Sequence, residues 1–307
     1  MKKMFFVLNP CAGTRKANKL LTEILGLFNR AGYDTVVHIT DKQGDAREVV
    51  RCRAAQMDLV VCCGGDGTFN ETVAGILESG ADVPVGYIPA GSTNDFAASL
   101  GLSTDIMTAA ANILRGEPES YDVGSFNGRY FTYVASFGVF TKTSYSTPQD
   151  VKNVLGHTAY LLEGIQELTQ LRNTTHMRLE LEDEVIEDDF IFGAISNSTS
   201  LGGLLTLDPK QVDMRDGLLE LLLVRRPKDL TEMAECLQAL QKRTYDCKMV
   251  TFRSASSIRI TTDPQLNWTI DGEMEPGSKE IRLENLHRVI RVVGTGMHTQ
   301  LPQAEEA

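Results

Sequence analysis

Asp58-Leu59-Val60-Val61-Cys62-Cys63-Gly64-Gly65-Asp66-Gly67-Thr68-Phe69-Asn70-Glu71 is an apolar run that ends in a glycine-rich turn, and apolar residues then recur at 69, 73, 76 and 77. The run reads as a buried strand, the glycines as a tight turn and the spacing from Phe69 as a helix. Three glycines around one aspartate let main-chain N–H groups converge on an anion where a helix begins. By itself such a turn is also what steric need alone would select. A second polar loop, Pro89-Ala90-Gly91-Ser92-Thr93-Asn94-Asp95-Phe96, follows another apolar strand, Val85-Gly86-Tyr87-Ile88. Loops after neighbouring parallel strands emerge at one carboxyl edge, so the pair points to a shared ligand.

Outward from this stretch, residues 1 to about 118 alternate strand and helix. Strands are expected at 4–8, 34–39, 58–63 and 84–88, with helices near 17–31, 45–55, 69–78, 95–100 and 105–115. That alternation argues for an α/β domain built on a parallel sheet covered on both faces. Past Gly116-Glu117-Pro118 the pattern changes to short alternating runs, such as Tyr130–Val134, Arg178–Glu182, Leu218–Val224 and Ser257–Thr261, which read as antiparallel β. Two helices interrupt them, at about 151–171 and 229–242. The first carries an apolar stripe that is either core contact or the wall of a lipid groove. The expected division is therefore 1–118, 119–296 and a disordered tail over 297–307.

Composition narrows the function classes. A formal charge of −11 argues against nucleic-acid binding, which needs a basic surface to neutralise phosphate. No apolar stretch approaches the roughly 20 residues of a transmembrane helix. Met1-Lys2-Lys3 and the apolar run after it imitate a signal peptide, but Asn9-Pro10 ends that run early, and it reads as a first strand. The six cysteines form no CxxC pair or zinc-like cluster, and the five histidines fall in no motif. A histidine-based hydrolase or metal enzyme is unsupported. Arg225-Arg226-Pro227-Lys228 is either a solvated turn or a local patch for an anionic surface.

Taken in order, the motifs resemble the diacylglycerol kinase catalytic family, specifically its soluble bacterial lipid kinases. They are Asn9-Pro10-Cys11-Ala12-Gly13, Thr40, Gly64–Glu71, Gly91-Ser92-Thr93-Asn94-Asp95, Tyr121-Asp122-Val123-Gly124, Asp213-Met214-Arg215-Asp216-Gly217-Leu218 and Asp271-Gly272-Glu273. The resemblance implies a nucleotide-binding α/β domain like that of phosphofructokinases and NAD kinases, then a β-rich sandwich, with the active site between them.

It further implies an enzyme that moves the γ-phosphoryl group of ATP, with Mg²⁺, to a lipid hydroxyl. Diacylglycerol is the foremost acceptor and phosphatidic acid its product. Asn9, Pro10, Cys11, Ala12, Gly13, Thr40, Gly64, Gly65, Asp66, Gly67, Thr68, Phe69, Asn70 and Ser92 would bind ATP, and Asp66 would organise the triphosphate and its Mg²⁺. Glu273 would be the general base; read from residues alone, it is a solvated charge on a hairpin, since Asp271-Gly272 is a turn dipeptide. Asp213, Asp216 and the carbonyl of Leu218 would hold a second, structural Mg²⁺, with Asp122 in the same network. Glu71 is open between a role in catalysis and one as a helix cap or partner of a loop N–H. Many relatives carry lysine where Thr14 stands, leaving Arg15 and Lys16 as candidate phosphate contacts.

The expected setting is the cytoplasm, peripheral to the inner face of the membrane, with a homodimer possible and no nucleic-acid partner. Rival readings are a kinase of another lipid alcohol, an NAD kinase, and a silent lipid- or nucleotide-binding module. The NAD kinase reading is weakened by Asn70-Glu71, which directly follows the glycine turn here.

Overall fold

Four strands, β1 (Lys2–Leu8), β2 (Tyr33–Ile39), β3 (Leu59–Gly64) and β4 (Val85–Pro89), lie parallel in the order β2-β1-β3-β4. They open a computed structural model that describes residues 1–138, 174–202, 205–245 and 247–294. Its chain forms two units, Met1–Ser120 with the chain from Ile290 onward, and Tyr121–Val289.

In the first unit the helices are α1 (Lys16–Arg30), α2 (Asp45–Arg53), α3 (Asp66–Ser79), α4 (Asp95–Ser99) and α5 (Ile106–Arg115). Every residue of β3 is buried, as a central strand covered on both faces requires. β2 is an edge, and Val36, Val37 and Ile39 are exposed on it. Ile24 and Phe28 of α1 and Ile113 of α5 close one core with Phe6, Leu8, Val61 and Ile88. Asp105 caps α5 by accepting from Thr108 N at 2.8 Å, the arrangement that satisfies an otherwise orphaned N-terminal donor.

One boundary differs from the periodic reading. α3 starts at Asp66, three residues before Phe69, because its first turn is polar and carries no apolar spacing. Gly65 stands extended before it and accepts from Phe69 N at 3.0 Å.

The second unit is β-rich. It contains β5 (Pro118–Phe126), β6 (Arg129–Phe131), β7 (Val134–Gly138), β8 (Thr175–Glu180), β9 (Val185–Ser196), the short β10 (Ser200–Leu201) and β11 (Leu205–Thr206), and β12 (Leu219–Arg225). Helix α6 (Leu230–Lys242) precedes β13 (Val250–Ala255), β14 (Ser257–Thr261), β15 (Trp268–Ile270), β16 (Glu273–Glu275) and β17 (Glu280–Val293). Its ladders are antiparallel, with β9 pairing β7, β8 and β12. Alternate residues of these strands meet in a core where Trp268 lies 5.2 Å from Phe126 and 4.9 Å from Phe137, ring centre to ring centre.

β17 serves both units in turn: its last residues, Val292 and Val293, pair parallel with Val85 and Gly86 of β4. Contiguous segments 1–118 and 119–296 do not contain this return. The stripe at 151–171 and the tail at 297–307 lie outside the described residues.

Candidate active site

β1 and β4 flank β3, so the loops leaving these three strands emerge side by side. They meet backbone to backbone. Asn9 N donates to Cys63 O at 3.0 Å and Ala90 N to Gly64 O at 2.7 Å. A Cβ on Gly13, whose φ is +47°, would fall 2.4 Å from Ala90 O, and one on Gly91 would fall 2.6 Å from Gly65 Cα. No side chain fits at either contact. The glycines therefore press three main chains together where α3 begins, and the positive end of that helix favours an anion there.

Side chains then fix the loops. Asn9 Nδ2 donates to Thr68 Oγ1 at 2.9 Å, and Asn9 Oδ1 accepts from Cys11 N at 2.9 Å. Pro10 O accepts from Asn18 Nδ2, while Cys11 is exposed and Ala12 buried. Thr40 stands at the end of β2 with its N–H on Leu8 O at 2.9 Å. Asp66 Oδ1 accepts from Phe96 N at 3.3 Å, tying the start of α3 to that of α4. Asn70 lies one turn along α3 on the Asp66 face. Asn94, at φ +55°, braces the fourth-strand loop by accepting from Gly91 N at 2.9 Å and donating to Gly91 O at 3.0 Å. Ser92 is exposed on that loop, as Gly13, Arg15 and Lys16 are on the first.

Two residues of the glycine-turn motif are engaged in structural contacts. Phe69 is fully buried, stacked between Tyr87 at 4.3 Å and Phe96 at 4.8 Å. Its ring packs behind the loops as part of the core. Glu71 takes the structural branch of its two readings: its carboxylate accepts from Gly44 N at 2.7 Å and Ala46 N at 3.2 Å, capping α2.

In the second unit, the Asp271-Gly272-Glu273 hairpin is buried at its first residue and open to water at Gly272. Asp271 is buried at φ +47°. Its Oδ2 accepts from Thr132 N at 2.6 Å and Thr132 Oγ1 at 2.9 Å, and its Oδ1 from Tyr133 N at 3.1 Å and Val134 N at 3.0 Å. Burial pushes its carboxyl up to about 6 against the pull of these donors. Glu273 begins β16 two residues later, about one-third exposed, and pairs with Arg129 Nη2 at 2.5 Å. Arg129 and Glu220 escaped the sequence reading, which took Asp271 only as a turn residue. Turn dipeptides look alike whether solvated or buried, and nothing in the spacing joins residues 129 and 273.

The 213–218 segment closes on itself. Asp213 Oδ1 accepts from Arg215 N, Asp216 Oδ1 from Leu218 N, and Leu218 O from Asn285 Nδ2 at 2.8 Å. Asp122, buried, joins the same network by accepting from Gly217 N at 2.7 Å and Arg288 N at 2.7 Å, with His287 Nδ1 3.1 Å away. Burial first, then Asp213 and Asp122, raises the Asp216 carboxyl. Burial and Asp216 push Glu220 up to about 8. This excess of negative charge, with a carbonyl beside it, is a donor chemistry that suits a hard cation. Among the described residues, however, no three carboxylate, histidine or cysteine groups already converge as a metal cage.

Two family models match the chain: the diacylglycerol kinase catalytic domain over residues 3–126 and the YegS C-terminal NAD kinase beta sandwich-like domain over residues 134–294. A diacylglycerol kinase of Bacillus subtilis (strain 168) is 31% identical over 298 residues, covering 95% of this chain and 96% of that protein. One of Staphylococcus saprophyticus is 34% identical over 277 residues, covering 89% of each. Two crystal structures from Bacillus anthracis str. Sterne share the fold. One superposes with a TM-score of 0.76 at 25% identity, covering 95% of this chain and 97% of that one. The other, of a diacylglycerol kinase, gives 0.71 at 23%, covering 95% and 96%.

Proposed function

The chain belongs to the diacylglycerol kinase family of lipid kinases, and on that premise we propose that it transfers the γ-phosphoryl group of ATP, with Mg²⁺, to a lipid hydroxyl, diacylglycerol giving phosphatidic acid. The observation that carries the reading is the meeting of three glycine-bearing loops at the start of α3. Three closely packed main chains at a helix N-terminus form a cradle for a polyphosphate. In this reading Asn9, Gly13, Thr40, Gly65, Gly67, Asn70 and Ser92 hold the nucleotide. Thr68 and Asn94 keep the loops in register.

Phosphoryl transfer asks little covalent work of the protein and much positioning. Asp66, in the first turn of α3, would orient the triphosphate and hold Mg²⁺, which when bound would supply compensation for the charge spread over the phosphoryl oxygens. Glu273 accepts the proton of the lipid hydroxyl as that oxygen attacks phosphorus. Asp213, Asp216 and the Leu218 carbonyl would be the donors for a second, structural Mg²⁺, whose charge would relieve the crowding at Asp216 and Glu220. The acceptor meets the enzyme at a membrane surface. No helix of the described residues is long and apolar enough to cross a bilayer.

The test is transfer from γ-labelled ATP to a panel of mixed-micelle lipids, with NAD as a parallel acceptor. Label in phosphatidic acid, lost on adding EDTA, is the expected result. Label in another lipid alcohol changes the acceptor, and label in NADP or nowhere refutes a lipid kinase. Glu273→Gln should lower turnover by about 10²–10⁴-fold without unfolding, and unchanged turnover would remove Glu273 from the chemistry.

A further inference from the structure

Glu273 and Glu275 stand two apart on β16 and so share one face of it, while Met274 between them is 67% exposed. One guanidinium spans both carboxylates: Arg129 Nη2 lies 2.5 Å from Glu273 Oε2 and Arg129 Nη1 2.5 Å from Glu275 Oε2. Arg129 is itself set rigidly. It opens β6 immediately after the Asn127-Gly128 turn, whose φ values of +49° and +86° are those of a tight hairpin, and it pairs with Phe126. From the other side Asp271 pins the β15–β16 turn to the backbone of residues 132–134.

We propose that Arg129 is a positioning residue for Glu273, holding its carboxylate in one orientation while Glu275 keeps the guanidinium from swinging away. This rests on the reading of Glu273 as the base. The charge count supports a positioning role over neutralisation. One guanidinium shared by two carboxylates grips Glu273 through a single N–H edge, so it fixes the carboxylate's direction without being spent on that residue alone. A planar fork with two separately aimed N–H edges is also what binding two carboxylates at once requires, and lysine lacks it. All three side chains are partly exposed, at 31%, 37% and 28% for Arg129, Glu273 and Glu275. Pairs so open to water add little to folding stability. Loss of Arg129 should therefore be felt in turnover far more than in stability.

The experiment measures lipid phosphorylation by wild type, R129A, R129K, E275Q, E273Q and the R129A/E273Q double variant, with unfolding followed by fluorescence. R129A should lose about 10²-fold in kcat, with KM for ATP and the unfolding midpoint unchanged. Sub-denaturing guanidinium ion should restore part of that activity, R129K and E275Q should fall between, and R129A should add no further loss to E273Q. Unchanged kcat in R129A and R129K, or additive losses in the double variant, overturns the positioning role while leaving an inactive E273Q to support the base. Full turnover in E273Q overturns the base and this proposal with it.

Discussion

Replacing Asp271 by alanine isolates the anchor beneath the Glu273 hairpin. The change leaves the N–H groups of Thr132, Tyr133 and Val134 without their acceptor, in a place where all three residues are at most 5% exposed. Each orphaned donor costs about 1–3 kcal/mol. The same change removes a charge that burial disfavours: with the carboxyl raised from 3.8 to about 6, its ionised form opposes folding by about 3 kcal/mol at neutral pH. The two effects partly offset, and a net loss of about 3 kcal/mol at pH 7 follows.

A raised folded pKa means that wild-type stability from this group is present below the unfolded value of 3.8 and declines as pH rises through about 6. Alanine has no such contribution. The gap between wild type and Asp271→Ala should therefore widen as pH falls from 7 to 4, by about 2 kcal/mol. Urea unfolding followed by fluorescence reads this directly, because the chain's one tryptophan, Trp268, is buried in the core three residues before Asp271. Equal midpoints would refute the anchor. A gap that narrows in acid would show that the four donors outweigh burial and hold the carboxyl below its ordinary value.

Gly91→Ala places a Cβ 2.6 Å from Gly65 Cα, so the loops must part at about 1–3 kcal/mol; ATP binding by calorimetry should weaken about tenfold or more, and an unchanged affinity would dissolve the three-loop cradle. Glu71→Ala removes the acceptor of Gly44 and Ala46 N–H and should destabilise the first unit by about 1–2 kcal/mol. Hydrogen exchange at those two amides should quicken while turnover changes far less than in Glu273→Gln. A nearly inactive Glu71→Ala with native exchange would return Glu71 to the chemistry.

The order of elements was legible because strand and helix periods are local. Leu59–Gly64 is wholly apolar, Gly65 and Gly67 break it, and the apolar spacing that follows can only be a helix. The ordered motifs likewise named the family, and the glycines around Asp66 marked a tight turn with close backbone approach, whereas the approaches at Gly13 and Gly91 became visible only in the fold. Contacts between distant segments were another matter. Asp271 looks like any turn aspartate until the fold brings Thr132–Val134 over it and excludes water. Glu71 could have faced ligand or loop, and the packing of α3 beside α2 chose the loop. Phe69 lies in the motif that the resemblance gives to the nucleotide, yet its ring packs into the core against Tyr87 and Phe96. Arg129 and Glu273 lie 144 positions apart, and β17 joins the sheet of the first unit after passing through the second. Local propensity depends on neighbours in sequence and can be read there, whereas burial and charge pairing depend on neighbours in space, which only the folded chain supplies.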